Sequence, residues 1–150
     1  IRRRLKLRSG LRPCSPYHWS RFSSTMPKAP SKPAGDEHEA RVRRICLAMT
    51  ETSEKLSHGA PTFFARKRTF AMFVNNHHND GHIAVWTAAT PGDQAALTAA
   101  SPKTYFRPPY VGVKGWIGIE LPEIDDEDLA AHLTDAWRVV MAAQRKSKAG

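Results

Sequence analysis

The sequence predicts an α+β domain, an antiparallel β-sheet with about three helices packed on it, behind a basic N-terminal arm. Three observations predict it. Apolar residues recur at helical spacing near both ends of residues 35–150, aromatic-rich runs of strand length lie between them, and the links between those runs are hairpin-like.

A chain of 150 residues with 41% hydrophobic content has material for one domain with one core. The net charge of +9 is uneven: residues 1–34 hold nine of the 23 basic residues and no acid, leaving fourteen basic residues against all fourteen acidic ones in 35–150. The folded part is therefore neutral, and its composition alone makes no electrostatic case for nucleic acid. Residues 1–34 contain five prolines and no apolar periodicity, so they are expected to be a disordered basic arm. Met26-Pro27 would make an ordinary start, so translated upstream sequence or a disordered tail is expected for the arm ahead of an Arg-rich transit peptide.

Order is expected from Gly35. Asp36 with Glu39 has the form of a capping box, and Val42, Ile45, Cys46 and Met49 follow at helical spacing, giving a helix over 36–50. "TETSEKLSHGAP" reads as a polar link. "TFFA" and "TFAMFV" then form a hairpin whose tip is Arg66-Lys67-Arg68, with Phe70, Met72 and Val74 on one face and Ala71 and Phe73 on the other. "HIAVWTAA" is the next strand, carrying Ile83 and Val85 on one side and Ala84, Trp86 and Ala88 on the other. Thr90 as N-cap and Pro91 at the first helical position open a short helix to Ala100. "YFRPPYVGVKG" is too rich in Pro and Gly for regular structure and leads into the last strand, "WIGIEL", with Ile117, Ile119 and Leu121 inward. Asp125 to Asp128 crowd the start of the final helix, whose apolar stripe is Leu129, Leu133, Ala136, Trp137, Val140 and Met141.

Several function classes find no support. No apolar run approaches the roughly 20 residues that span a bilayer, which leaves no membrane partner, and Cys14 and Cys46 form neither a disulfide framework nor a metal-ligand spacing. The expected setting is a reducing cytoplasm. No phosphate-cradling glycine loop appears and no cofactor is implied. Ser53, Ser57 and His58 lack a glycine elbow and an orienting acid, and Cys46 sits on an apolar stripe as an inert thiol, so an enzyme ranks last.

"CLAM" late in the first helix, "GAPTFFARKRTFAMF" across the hairpin, "PPYVGVKGWIGIEL" into the last strand and "DAWRVV" in the final helix together resemble the MmcQ/YjbR family. The resemblance runs from about Gly35 to Gln144. It implies a compact α+β fold with an antiparallel sheet, likened to a double-wing DNA-binding motif, and brings no catalytic set.

Three sets of residues are candidates for function. Arg66, Lys67 and Arg68 at the hairpin tip are placed to meet phosphates, with Arg107, Lys114, Arg145, Lys146 and Lys148 as extensions of the patch, so DNA is the leading expected partner. Tyr110, Lys114 and Trp116 flank one Pro/Gly loop and form the alternative, a small-molecule or protein-binding site. In "NNHHNDGH", His77, His78 and His82 raise the question of a metal, but adjacent histidines diverge in extended chain and Asn79-Asp80-Gly81 signals a turn; the expectation is a solvated hairpin loop without metal.

Overall fold

The computed structural model describes residues 34–150, the Ala34 side chain excepted. The reading of the preceding arm, with Cys14, lies outside the described residues. Among the described residues three helices and six strands form the expected α+β fold, with four strands in succession after the first helix, and every strand pair is antiparallel. Among the described residues no helix is long and apolar enough to cross a membrane.

Helix α1 spans Ala34–Leu47, starting ahead of Asp36 and ending short of residue 50. The expected capping box is displaced: Asp36 lies inside the first turn, where its charge meets the positive helix end, and Glu39 accepts from the Arg43 guanidinium one turn on.

Strands β1 (Thr52–Ser57), β2 (Ala60–Ala65), β3 (Arg68–Asn75) and β4 (Ile83–Thr87) follow. Strand β1 corrects the expected polar link. It is an edge strand with Glu54, Lys55 and Leu56 facing or partly facing solvent, so it carries no apolar alternation, and its ladder to β2 is closed by His58-Gly59, whose φ values of 53° and 77° suit a tight two-residue hairpin.

Strand β3 carries a second correction. Phe63 pairs with Ala71 and Phe64 with Thr69, so Phe70 is an extra residue in the ladder. Such a bulge turns one side chain out of the alternation. Phe70 accordingly joins Ala71 and Phe73 in the helix-side core, while Met72 and Val74 pack with Ala84 and Trp86 on the opposite face. Ala88 likewise joins the helix-side core, because regular pairing in β4 stops at Thr87.

Helix α2 spans Asp93–Ala100. Thr90 is not its N-cap: Gly92, at φ 92°, holds that position in left-handed backbone, Pro91 lies in the turn, and the Thr90 hydroxyl donates to the Asp93 carboxylate. Strand β5 (Tyr105–Phe106) was not expected in the Pro/Gly segment; it adds to the edge of β6 (Ile117–Glu120), where the Phe106 ring lies directly over Gly118. The sheet order is β1-β2-β3-β4-β6-β5.

Helix α3 (Asp126–Ala149) is capped by the Asp125 carboxylate, which accepts from the Asp128 backbone N–H at 2.8 Å. Its expected stripe is buried at Leu129, Leu133, Ala136, Val140 and Met141 against one face of the sheet, beside Val42 and Cys46 of α1 and the inward Ile117, Ile119 and Leu121, whereas Trp137 is only partly buried and donates its Nε1–H to the Thr50 carbonyl at 3.0 Å. Arg41 of α1, 15% exposed, locks the two helices: its guanidinium donates to the Leu121 carbonyl at 2.8 Å, to the Ile124 carbonyl and to the Asp126 carboxylate. Both helices that build the core thus lie on one sheet face, and the other face is left to Met72, Val74, Trp86 and their neighbours.

Candidate functional site

The hairpin tip is a two-residue turn, Arg66-Lys67, with Arg68 as the first residue of β3. All three side chains are exposed. They are not equivalent. The Arg66 guanidinium donates twice to the Glu51 carboxylate, which pulls the Glu51 carboxyl below its usual range. Lys148 and Arg145 of α3 act on the same carboxylate, and the Gln144 amide donates to the Ala65 carbonyl at 2.9 Å, tying the end of α3 to the wing.

Arg68 also faces a groove of about 350 Å³, bounded by Lys114, Trp116 and the Val139 to Ala143 side of α3. Lys114 reaches it from a short 3-10 turn over Gly112–Lys114, closed by Gly115 at φ 85°. The Gln94 amide holds this turn in place by donating to the carbonyls of Gly112 and Trp116 at 2.7 and 2.6 Å. Two candidate sets from different parts of the chain, the wing and the Lys114/Trp116 pair, therefore meet in one groove.

Arg107 does not enter it. Its stem lies across Gly112 and its side chain faces a shallow hollow with Gln94 and Thr98. Tyr110 is also elsewhere: at φ 63° and 73% exposed, it rims a cavity of about 560 Å³ on the sheet face that carries no core helix, together with Ser57, His58, Met72, His77, His78 and Trp86. The loop from Tyr110 to Trp116 thus serves two separate depressions rather than one cleft.

The three histidines of "NNHHNDGH" also divide. A 3-10 turn over His77–Asn79, with His78 in left-handed backbone, folds the chain so that the His77 and His78 rings lie 4.1 Å apart and His77 covers Trp86 edge-on at 5.5 Å. The segment is a loop, as expected, but His77 is partly buried rather than solvated. His82 points to other partners: its Nδ1 meets the Glu120 carboxylate and its ring stacks on Phe106 at 4.6 Å. Among the described residues no group of three or more His, Cys, Asp or Glu is placed to hold a metal ion.

A half-buried pair was missed from sequence, and a buried thiol was only partly read. Tyr105 Oη and His132 Nε2 are 2.7 Å apart beneath α3; burial lowers the imidazole pKa and raises that of the phenol, in each case favouring the neutral form. No sequence signal pairs residues 27 positions apart, one of them in a Pro/Gly-rich segment. Cys46 is buried and its thiol is pushed far up by desolvation, as an inert core residue should be.

A family model for YjbR proteins matches residues 47–139, from the end of α1 through the wing, the cavity under Tyr110, and the first part of α3. No curated protein and no solved structure matches the chain.

Proposed function

The chain belongs to the YjbR family, and on that premise we propose that its folded domain binds DNA through the phosphate backbone at the wing. The observation that carries this reading is a local charge excess in a neutral domain: Arg66, Arg145 and Lys148 act together on the Glu51 carboxylate, and Arg68, two residues from Arg66, shares a groove with Lys114. Lys67 and Arg68 supply the exposed charges at the tip, and Lys114 with Trp116 continues the same surface into the groove beside α3. Such contacts give an affinity that falls steeply with salt, because each neutralised phosphate releases counterions, and they read no base identity. A cytoplasmic setting is part of the same proposal.

Fluorescence anisotropy of a labelled duplex of about 20 base pairs, titrated with protein at low and at physiological salt, tests the proposal. Binding that weakens with salt and is lost in the Lys67→Glu/Arg68→Glu variant is expected. Absence of binding at micromolar protein and low salt, or binding indifferent to that variant, would overturn it.

A further inference from the structure

The cavity under Tyr110 shares no lining residue with the Arg68 and Lys114 groove and is chemically unlike it. Its floor is apolar and flat, built from Met72 and Trp86, which face each other across the β3–β4 ladder. Its rim is polar: three imidazoles from two different turns (His58, His77 and His78) and the hydroxyls of Ser57 and Tyr110, each able to donate or accept a hydrogen bond. No carboxylate lines it; Glu39 lies in an adjoining hollow beside His58 and His77, where it is engaged by Arg43.

An independent observation concerns Trp86. The residue is 3% exposed, and its Nε1 is the one buried side-chain nitrogen or oxygen among the described residues that lacks a hydrogen-bond partner. Buried indole N–H groups are normally satisfied, since an orphaned donor forfeits its hydration without return. The ring lying edge-on against this indole is His77, from a short loop whose other residues are exposed.

We propose that this cavity is a binding site for a small planar aromatic carboxylate, with its ring on Trp86 and Met72 and its carboxylate accepting from Trp86 Nε1–H and the histidine rim. The volume suits one or two fused rings, an apolar floor with a few convergent polar groups is the usual build of a small-molecule site, and an indole that can only donate, in a cavity lined by no carboxylate, calls for an acceptor and favours an anion over a cation. Displacement of His77 supplies the opening, and the acceptor supplies the partner that Trp86 lacks.

The test uses the full chain and sodium 2-naphthoate as probe, with 2-naphthylmethanol as the uncharged isostere. The chain has four tryptophans, so a 1H–15N spectrum carries four indole N–H signals, and that of Trp86 is identified by its loss in Trp86→Phe. Naphthoate is expected to shift the Trp86 signal downfield to saturation, and to bind at least about tenfold more tightly than the alcohol, as a hydrogen bond to a charged acceptor requires. Trp86→Phe should weaken binding, read from the naphthoate signals, by a similar factor; Val111 also lines the cavity, half-buried beside Trp86, and Val111→Phe should fill it and abolish binding while leaving the spectrum dispersed. A Trp86 signal that does not move, equal shifts at all four indoles, equal affinity for acid and alcohol, or full binding by Val111→Phe would each overturn the proposal. None of these outcomes depends on DNA binding at the wing.

Discussion

Glu51 holds Arg66 twice over: its carboxylate receives the guanidinium, and its carbonyl accepts the Arg66 backbone N–H at 2.8 Å. Both residues keep left-handed backbones, with φ of 58° and 57°, a conformation that costs a non-glycine residue roughly 1–2 kcal/mol. The pair shapes the wing and partly neutralises its first cation, leaving Lys67 and Arg68 to meet a phosphate.

The three tip residues should therefore differ in a DNA titration. Lys67→Ala and Arg68→Ala should each reduce the slope of log affinity against log salt by about one, whereas Arg66→Ala changes it little. Glu51→Gln should strengthen binding by about three- to tenfold at low salt, because it removes the carboxylate that Arg66, Lys148 and Arg145 face. Equal losses from Arg66→Ala and Lys67→Ala would show that the ion pair does not withhold Arg66 from DNA.

Arg41 serves the core rather than the wing. Arg41→Met keeps the aliphatic stem but leaves the Leu121 and Ile124 carbonyls without their donor, so the domain should lose about 2–3 kcal/mol in urea unfolding with little change in the cooperativity of the transition. A loss under about 0.5 kcal/mol would mean that water replaces the guanidinium at no cost.

Acid sensitivity should set in before the carboxylates titrate. Burial lowers the folded-state pKa of His132, so between that value and 6.5 the unfolded chain binds more protons, and stability falls as pH falls through this window. His38, also lowered by burial, adds in the same direction. The lowered carboxyls of Glu51, Glu54 and Asp126 act with the same sign but only below about pH 4.5. Thermal unfolding between pH 5 and 7 should show a midpoint that rises with pH in the wild type and rises less in His132→Gln. Identical slopes would remove His132 from the account.

Gly118 is expected to tolerate no side chain. A Cβ there would come within 2.3 Å of the Phe106 ring, so Gly118→Ala must expel that ring from its place beside His82, at a cost of about 1–3 kcal/mol. The double variant with Phe106→Ala should lose much less than the sum of the two single changes, since the clash exists only when both side chains are present.

Most of the fold was legible in the sequence wherever one side of an element is buried and the other is not. The stripes of α1 and α3 and the inward Ile117, Ile119 and Leu121 announce themselves by period, because burial on one face imposes that period on the residues. The same logic explains the failures. Strand β1 is an edge with no apolar face, and β5 is two residues long, so neither leaves a periodic trace; both are held by backbone pairing, which any side chain permits. The bulge at Phe70 was invisible for a related reason: one extra residue in a ladder is a matter of register between two strands, and nothing local to β3 records it. The His58-Gly59 pair was the one available sign of the first hairpin.

For the sites, composition and order along the chain were enough to nominate the wing, the Lys114 and Trp116 pair and the histidine loop, since charge, aromatic content and turn chemistry are properties of residues themselves. Which of them meet is a property of the fold. Only the packing of α3 against the sheet joins Arg68 to Lys114 and surrounds Glu51 with bases, and only the turn at His77 folds an imidazole over a tryptophan whose N–H has no partner. Convergence of groups far apart in sequence is decided by long-range contacts between faces, and a one-dimensional pattern carries each face but not its partner.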